Sequence, residues 1–325
     1  MTTVPIVPMS LGDIFDRLFK LIGKTWIRNL ILACVILIVP VLILTVGMNA
    51  FFSSIAALAK ENEPGEHLAP HQLFAMLGSM GWFFLGLFLF LLASAASTLS
   101  ITIVSCAEMS GEPMTWQEAL DRTFGIRLAR QIGVSVIQAV AFSGLILVPY
   151  VMLIVAIAMR STMLGLLGGC LLLACIPIVV FLFIRWAFTT PALGWESLGV
   201  FASFRRSWGL VTNNWWRVFG ILLLMSIIVS FATSLVMTPV YLITLWKFFA
   251  SYFEMIGSQG SELRDPSVFL EGLHSFALGI GIVAGLSSVL QMLVTPLYHV
   301  VLYFDLRARN NEFSQPSPLG TQPLA

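Results

Sequence analysis

The placement of its charges constrains this chain more than any other feature. Six stretches contain no Asp, Glu, Lys or Arg: 30–59, 72–107, 131–159, 161–184, 218–246 and 275–304. Each exceeds the ~20 residues that a helix needs to cross the ~30 Å hydrocarbon core of a bilayer. In lipid every backbone N–H and C=O must be satisfied within the protein, which leaves helices or closed barrels. Barrel strands alternate polar and apolar side chains over about 10 residues, whereas these runs are solidly apolar. The sequence predicts an all-α membrane protein with six transmembrane helices, several long enough to tilt or to extend past the lipid. Composition agrees: 58% of the 325 residues are hydrophobic and 10% are charged, with a mean hydropathy of +0.94. Ordinary soluble domains carry about 25% charged residues. So few charges exclude a cytosolic globular enzyme and a disordered chain, and a net charge of +1 excludes a nucleic-acid binder.

Orientation follows from the basic residues. Of 17 Lys and Arg, only Lys60, Arg160, Lys247 and Arg264 fall on one side of the six spans; the rest flank the other side. The positive-inside rule then places both termini in the cytoplasm. Segments 60–71 and 247–274 face outward, the latter with an apolar face of Phe248, Phe249, Tyr252, Phe253 and Ile256, and residues 160–162 form a tight outer hairpin. The first apolar run begins at Leu30, after Asp13, Asp16, Arg17, Lys20, Lys24 and Arg28, and reaches Ala59. A cleavable signal core is much shorter. Cys34, Cys106, Cys170 and Cys175 lie in apolar runs without a C-x-x-C pair, the setting of small buried apolar residues. Residues 1–309 read as a single transmembrane domain, and 310–325, rich in Pro, Ser, Gln and Gly, as a disordered tail.

A threefold internal repeat organises the domain. The segment from Ser10 to Phe19 aligns without a gap onto Thr115 to Phe124, and a third copy runs from Gly199 to Trp208. Each copy leads into an outward span followed by a returning one, which gives repeats of about 10–107, 115–190 and 199–304. Leu11, Ile14, Phe15, Leu18, Phe19 and Ile22 recur at helical spacing on one face. Trp116, Ala119, Leu120, Thr123 and Phe124 repeat the stripe; Val200, Phe204, Trp208 and Val211 carry a thinner one. Ser10 with Asp13, and Thr115 with Glu118, have the spacing of capping boxes; the third copy lacks one. Basic residues, among them Arg17, Lys20, Arg122 and Arg205, follow or flank each stripe, as in helices lying in the membrane interface. Two readings stand: an elbow that turns the chain into the next span, or a cytoplasmic collar that binds anionic lipid or a partner protein. Trp26, Trp215 and Trp216 sit where odd spans enter the membrane, the place of an aromatic belt.

These segments also carry a family resemblance. The opening Met9-Ser10-Leu11-Gly12-Asp13-Ile14-Phe15-Asp16-Arg17-Leu18-Phe19 resembles the start of many bacterial six-span proteins described as the membrane domain of glycerophosphoryl diester phosphodiesterases. Arg185-Trp186-Ala187-Phe188 through Pro191-Ala192-Leu193, Phe204-Arg205-Arg206-Ser207-Trp208 and Trp215-Trp216-Arg217-Val218 are similar to that family's central signature, and Leu302 to Arg309 to its C-terminal one. The resemblance touches all three repeats. It implies a stand-alone membrane region in a bacterial cytoplasmic membrane. It does not imply phosphodiesterase activity, which in fused members belongs to a separate barrel-type domain with metal-binding carboxylates and histidines. The polar stretches here are all short.

Ionisable groups near membrane runs are functional suspects. Arg185, Arg206, Asp305 and Glu108 near the inner span ends compose a candidate inner polar cluster, with His299 beside Tyr298 toward the inner half of the sixth span. The cluster either locks the repeats together or binds a headgroup or another anion. His67 and His71 with Glu63 or Glu66 have metal-ligand spacing, but Pro64, Gly65 and Pro70 interrupt the segment. Glu271 and His274 have Glu-x-x-His spacing without a second copy. Prolines 40, 149, 177, 239 and 296 punctuate five spans; transporters use broken helices of this kind, and ordinary membrane helices tolerate them too. Gly78, Gly81 and Gly86, Gly279, Gly281 and Gly285, and Gly165, Gly168 and Gly169 suit close helix packing. No phosphate-binding loop, nucleotide fingerprint, zinc-protease helix or Gly-x-Ser-x-Gly elbow appears. The expectation is a non-enzymatic membrane protein without cofactor or metal, an accessory or scaffold subunit that contacts membrane lipids and protein partners in the membrane. A small-molecule or lipid transporter or channel is the alternative.

Overall fold

The computed structural model describes residues 7–61, 69–257 and 266–312. Every regular element among them is an α-helix: α1 (Leu11–Glu61), α2 (Pro70–Met109), α3 (Trp116–Thr123), α4 (Ile126–Ala158), α5 (Thr162–Arg185), α6 (Thr189–Glu196), α7 (Val200–Thr212), α8 (Trp215–Gly257) and α9 (Pro266–Arg309). Six helical stretches are long and apolar enough to cross a membrane: Leu11–Ile55, Pro70–Met109, Ile126–Ala158, Thr162–Glu196, Trp215–Ile243 and Gly281–Arg309. The chain is an all-α, multi-pass membrane protein. The five prolines lie inside α1, α4, α5, α8 and α9.

The chain divides into two compact units, Met1–Trp26 with Thr98–Ser226 and Pro296–Ala325, and Ile27–Ser97 with Ile227–Thr295. In the second, backbones approach closely at glycines. A Cβ on Gly86 would lie 2.6 Å from Leu44 Cα, and one on Gly47 would lie 2.7 Å from the Trp82 carbonyl. Gly281 and Gly285 sit against Thr45 and Val41, and Phe51 stacks on Phe83 at 5.7 Å. Of the other glycines read as packing positions, Gly168 touches Leu153, whereas Gly78, Gly81 and Gly169 face open space.

The first unit holds every helix from α3 to α7. Its core includes Ile14, Leu18, Leu21, Leu99, Ile103, Leu193, Leu210 and Tyr303, all buried. Both capping boxes form. Thr115 Oγ1 accepts from Glu118 N (3.3 Å) and Glu118 Oε2 accepts from Thr115 N (2.9 Å). Ser10 Oγ accepts from Asp13 N (3.2 Å) and Asp13 Oδ2 accepts from Ser10 N (2.9 Å). Gly199 starts α7 without a side-chain cap.

The structure corrects the repeat in two respects. The second and third copies are separate helices, α3 and α7, but the first runs without interruption into its span as part of α1. The joints explain this. Gly125, at φ 104° and ψ −142°, ends the α3 segment in a region open to glycine almost alone, and Asn213-Asn214 separates α7 from α8. The first copy has only Gly23 within a long helical pattern, which a helix tolerates. The stripes also turn inward more than an interfacial helix requires. Ile14, Leu18 and Leu21 are buried with Thr25, while Leu11 and Phe19 are exposed. α7 buries Ser203, Ser207, Leu210 and Val211 and turns Phe201, 80% exposed, outward.

The sequence gives no hint of α6, because its eight residues carry no apolar stripe. Thr189, Pro191, Ala192, Leu193 and Gly194 are buried, and Gly194 lies so near α2 that a Cβ there would be 3.0 Å from Leu99 Cδ1. Ser197 closes the helix in the left-handed region at φ 55°. Arg127 donates to its hydroxyl (2.8 Å) and Arg130 to its carbonyl (3.1 Å).

Candidate functional site

The charged side chains of the first unit form three neighbouring arrangements rather than one cluster. The first is built on Asp305, near the end of α9 and fully buried. It accepts from Met9 N (2.7 Å), from Arg309 Nε (3.0 and 3.2 Å) and from Arg217 Nη2 (3.4 Å). The same arginines close on the Met9 carbonyl, Arg217 Nη2 at 2.8 Å and Arg309 Nη2 at 2.7 Å. One residue before α1, Met9, is therefore held at both its backbone donor and its backbone acceptor. A carboxylate this deep is tolerable because three donors satisfy it.

The second arrangement centres on Arg206 of α7. Its guanidinium donates to Glu196 (2.9–3.2 Å) and to Glu312 (2.6 and 2.7 Å). Arg307 Nε donates to Glu312 at 2.8 Å and lies over the Tyr303 ring, and the Tyr303 hydroxyl donates to Glu196. This network ties α6, α7 and α9 together. The hydrogen bond to Glu312 is the chief cause that raises Arg206 above its ordinary value, with Glu196 adding to it. Burial pushes the Glu312 carboxyl up, but the hydrogen bonds and charges of Arg206 and Arg307 outweigh it and hold the group below the usual carboxylate range. Described structure thus reaches three residues into the segment read as tail; 313–325 lie outside the described residues.

The third is Arg185 at the end of α5. Its Nη1 donates to the Trp208 carbonyl (3.2 Å) and to Thr212 Oγ1 (2.7 Å). The guanidinium lies 5.2 Å from the Phe181 ring centroid and 4.7 Å from that of Trp208. Immediately beyond it the chain kinks into α6. Ser207 bridges the kink, accepting from Phe188 N (3.1 Å) and donating to the Arg185 carbonyl (2.7 Å). Arg185 also lines an open cavity of about 700 Å³, shared with Asn213, Asn214, Trp215 and Arg217.

The five residues of the expected inner cluster therefore separate. Arg185 and Asp305 do not pair with each other; Arg206 joins Glu196 and Glu312; Glu108 faces Lys24 at 3.5 Å. His299 stacks on Tyr298 (4.5 Å), meets Phe188 edge-on, and lines a second, apolar cavity of about 250 Å³ with Phe219 and Ser226. Glu196, Arg217, Arg307, Arg309, Glu312 and the Met9 peptide escaped the sequence reading as partners. Their charge at span ends was the available signal, but the pairings of Arg217 and Met9 with Asp305 and of Arg206 with Glu312 cross 88 to 296 residues and are decided by the fold. Those of Arg206 with Glu196, Arg307 with Glu312 and Arg309 with Asp305 are local, 10, 5 and 4 positions apart.

Arg122 and Arg205 point outward, Lys20 pairs with Asp16 on the surface (3.8 Å), and Arg17 is half-buried. Trp26 and Trp216 are exposed, while Trp215 stacks on Phe219 at 5.4 Å. No group of three or more His, Cys, Asp and Glu suited to a metal occurs among the described residues. Glu63, Glu66 and His67 lie outside those residues, as do the side chains of Phe248, Tyr252, Ile256, Glu271 and His274. Comparison of the chain with protein-family models, with characterised proteins and with solved structures finds no match.

Proposed function

We propose that this protein is a non-enzymatic accessory or scaffold subunit of a bacterial cytoplasmic membrane, with both termini inside, that contacts anionic lipid and protein partners through its basic collar. One observation carries the reading: the charges of the first unit divide by role. Those between helices, at Asp305, Arg206, Glu196 and Glu312, are spent on each other and make a locked frame. Arg122 on α3 and Arg205 on α7 face outward from that frame. A rigid support with outward cations suits a surface that meets headgroups or an acidic partner. The resemblance of residues 9–19, 185–218 and 302–309 to the membrane domain of glycerophosphoryl diester phosphodiesterases supports a role within the membrane. Gentle purification with identification of everything that co-migrates tests this; a solitary monomer carrying neither lipid nor protein overturns it.

A second reading, transport of a small molecule or lipid, draws on the apolar cavity at His299 between α5, α8 and α9. Flux across proteoliposomes that disappears in His299→Ala would favour it.

A further inference from the structure

We propose that the cavity at the start of α8 binds a phosphate group, presented by an anionic phospholipid headgroup or as free phosphate. The inference rests on the lipid-contacting part of the reading above and gives it an address. The cavity, about 700 Å³ and open, lies where α5 ends and α8 begins, and no carboxylate is among the residues that line it. Two guanidiniums do line it, and each is only half committed. Arg185 is fixed through Nη1 by Trp208 and Thr212 and by the faces of two aromatic rings, while its Nη2 has no partner among the described residues. No carboxylate among the described residues pairs with it. Arg217 is fixed through Nη2 by Met9 and Asp305, leaving Nη1 without a partner among the described residues. Guanidinium forks held by their surroundings are matched to phosphate oxygens.

Two further observations point the same way. Every buried side-chain nitrogen that lacks an acceptor among the described residues belongs to this wall: Arg185 Nε, Trp215 Nε1 and Arg217 Nε. Buried donors of this kind ordinarily find an acceptor, and this wall is short of negative charge. Next, the cavity contains the N-terminus of α8, 43 residues long. Its first amides have no partner within the helix, and the Asn214 side chain before them makes no hydrogen bond among the described residues. Uncapped amides and the positive end of the helix dipole add donors on the same side. Trp216, exposed on the cavity's rim, is the residue type that sits at the headgroup level.

The test uses the full-length protein in detergent, titrated with phosphatidylglycerol and, separately, with inorganic phosphate, the bound species being counted by native mass spectrometry. One phosphatidylglycerol per chain is expected, with affinity reduced at least tenfold in Arg185→Gln and unchanged in Arg160→Gln, in the hairpin between α4 and α5 and outside both the cavity and the collar. Asn214→Asp separates binding from folding: aspartate caps α8 and leaves its unfolding temperature equal or higher, yet repels the anion and lowers its affinity by a similar factor. Saturable binding of phosphate that displaces the lipid identifies the free ion as the ligand, whereas phosphate that fails to displace it identifies the headgroup. Phosphatidylglycerol retained equally by wild type, Arg185→Gln and Asn214→Asp overturns the site while leaving lipid contact elsewhere intact. Wild-type protein that binds neither probe overturns both.

Discussion

Ser207 shows how much one side chain can settle. Between α5 and α6 the helix is broken, and the Ser207 hydroxyl accepts a hydrogen bond from Phe188 N and donates one to the Arg185 carbonyl. Without it two backbone groups are left unpaired beside a buried ring, at about 1–3 kcal/mol each. Ser207→Ala should lower the unfolding temperature in detergent. Ser203→Ala should do so far less, because the Ser203 hydroxyl, equally buried, only back-bonds to Val200 within α7. Glu312 gives a pH signature. Its carboxyl is held below the usual range in the folded chain, so its contribution is complete above the unfolded value of about 4.3 and fades as pH falls through the lower folded value. The unfolding temperature should therefore drop in that acid window, and Glu312→Gln should be less stable at neutral pH with a flatter acid profile. The sequence revealed Arg206 and Asp305 as charges stranded at span ends. It did not reveal Glu312 as a partner, because nothing local links residues 106 positions apart; Glu196 is only ten positions from Arg206, but the turn at Ser197 puts the two on different helices, a bend the apolar pattern does not mark.

At the scale of elements, the spans were readable because a charge inside lipid costs several kcal/mol and leaves a gap-free record in the chain. The joints were less readable. Gly125 and Asn213-Asn214 break their helices, whereas the first copy contains nothing that stops α1, and similarity of pattern concealed that difference. Small residues divide by what stands opposite them. Gly86→Ala drives a methyl onto the Leu44 backbone and should destabilise by about 1–3 kcal/mol. Gly78→Ala, in open space, should be neutral or gain up to about 1 kcal/mol from helix propensity. Circular-dichroism melts of the two variants check the contrast. Gly125→Ala should cost about 1–3 kcal/mol through its positive φ alone, despite open space around it.

For the whole molecule, six apolar runs made the all-α, six-span architecture legible in the sequence. A fluorescent or phosphatase reporter fused at the C-terminus should report the cytoplasmic side, and activity only outside would reverse the proposed topology. The length of α1, 51 residues or about 76 Å at 1.5 Å per residue, exceeds a bilayer with its headgroups at ~40–45 Å. Such a helix has to project from the membrane, and its charged first turns are the part suited to do so. Asp305→Ala should cost about 3–5 kcal/mol, the penalty for stranding paired buried charges, read as loss of folded protein in membranes.

The clasp between Met9 and Asp305 also sets a timetable. The two residues are 296 positions apart, an interval that a ribosome needs about 15–60 s to cover at ~5–20 residues per second. Throughout that wait the first helix is made but not fastened, and Arg217 enters the membrane before its carboxylate exists. A chain that stalls before α9 presents Arg206 without Glu312 and Arg217 without Asp305. That unbalanced positive charge distinguishes an unfinished polypeptide from a completed one.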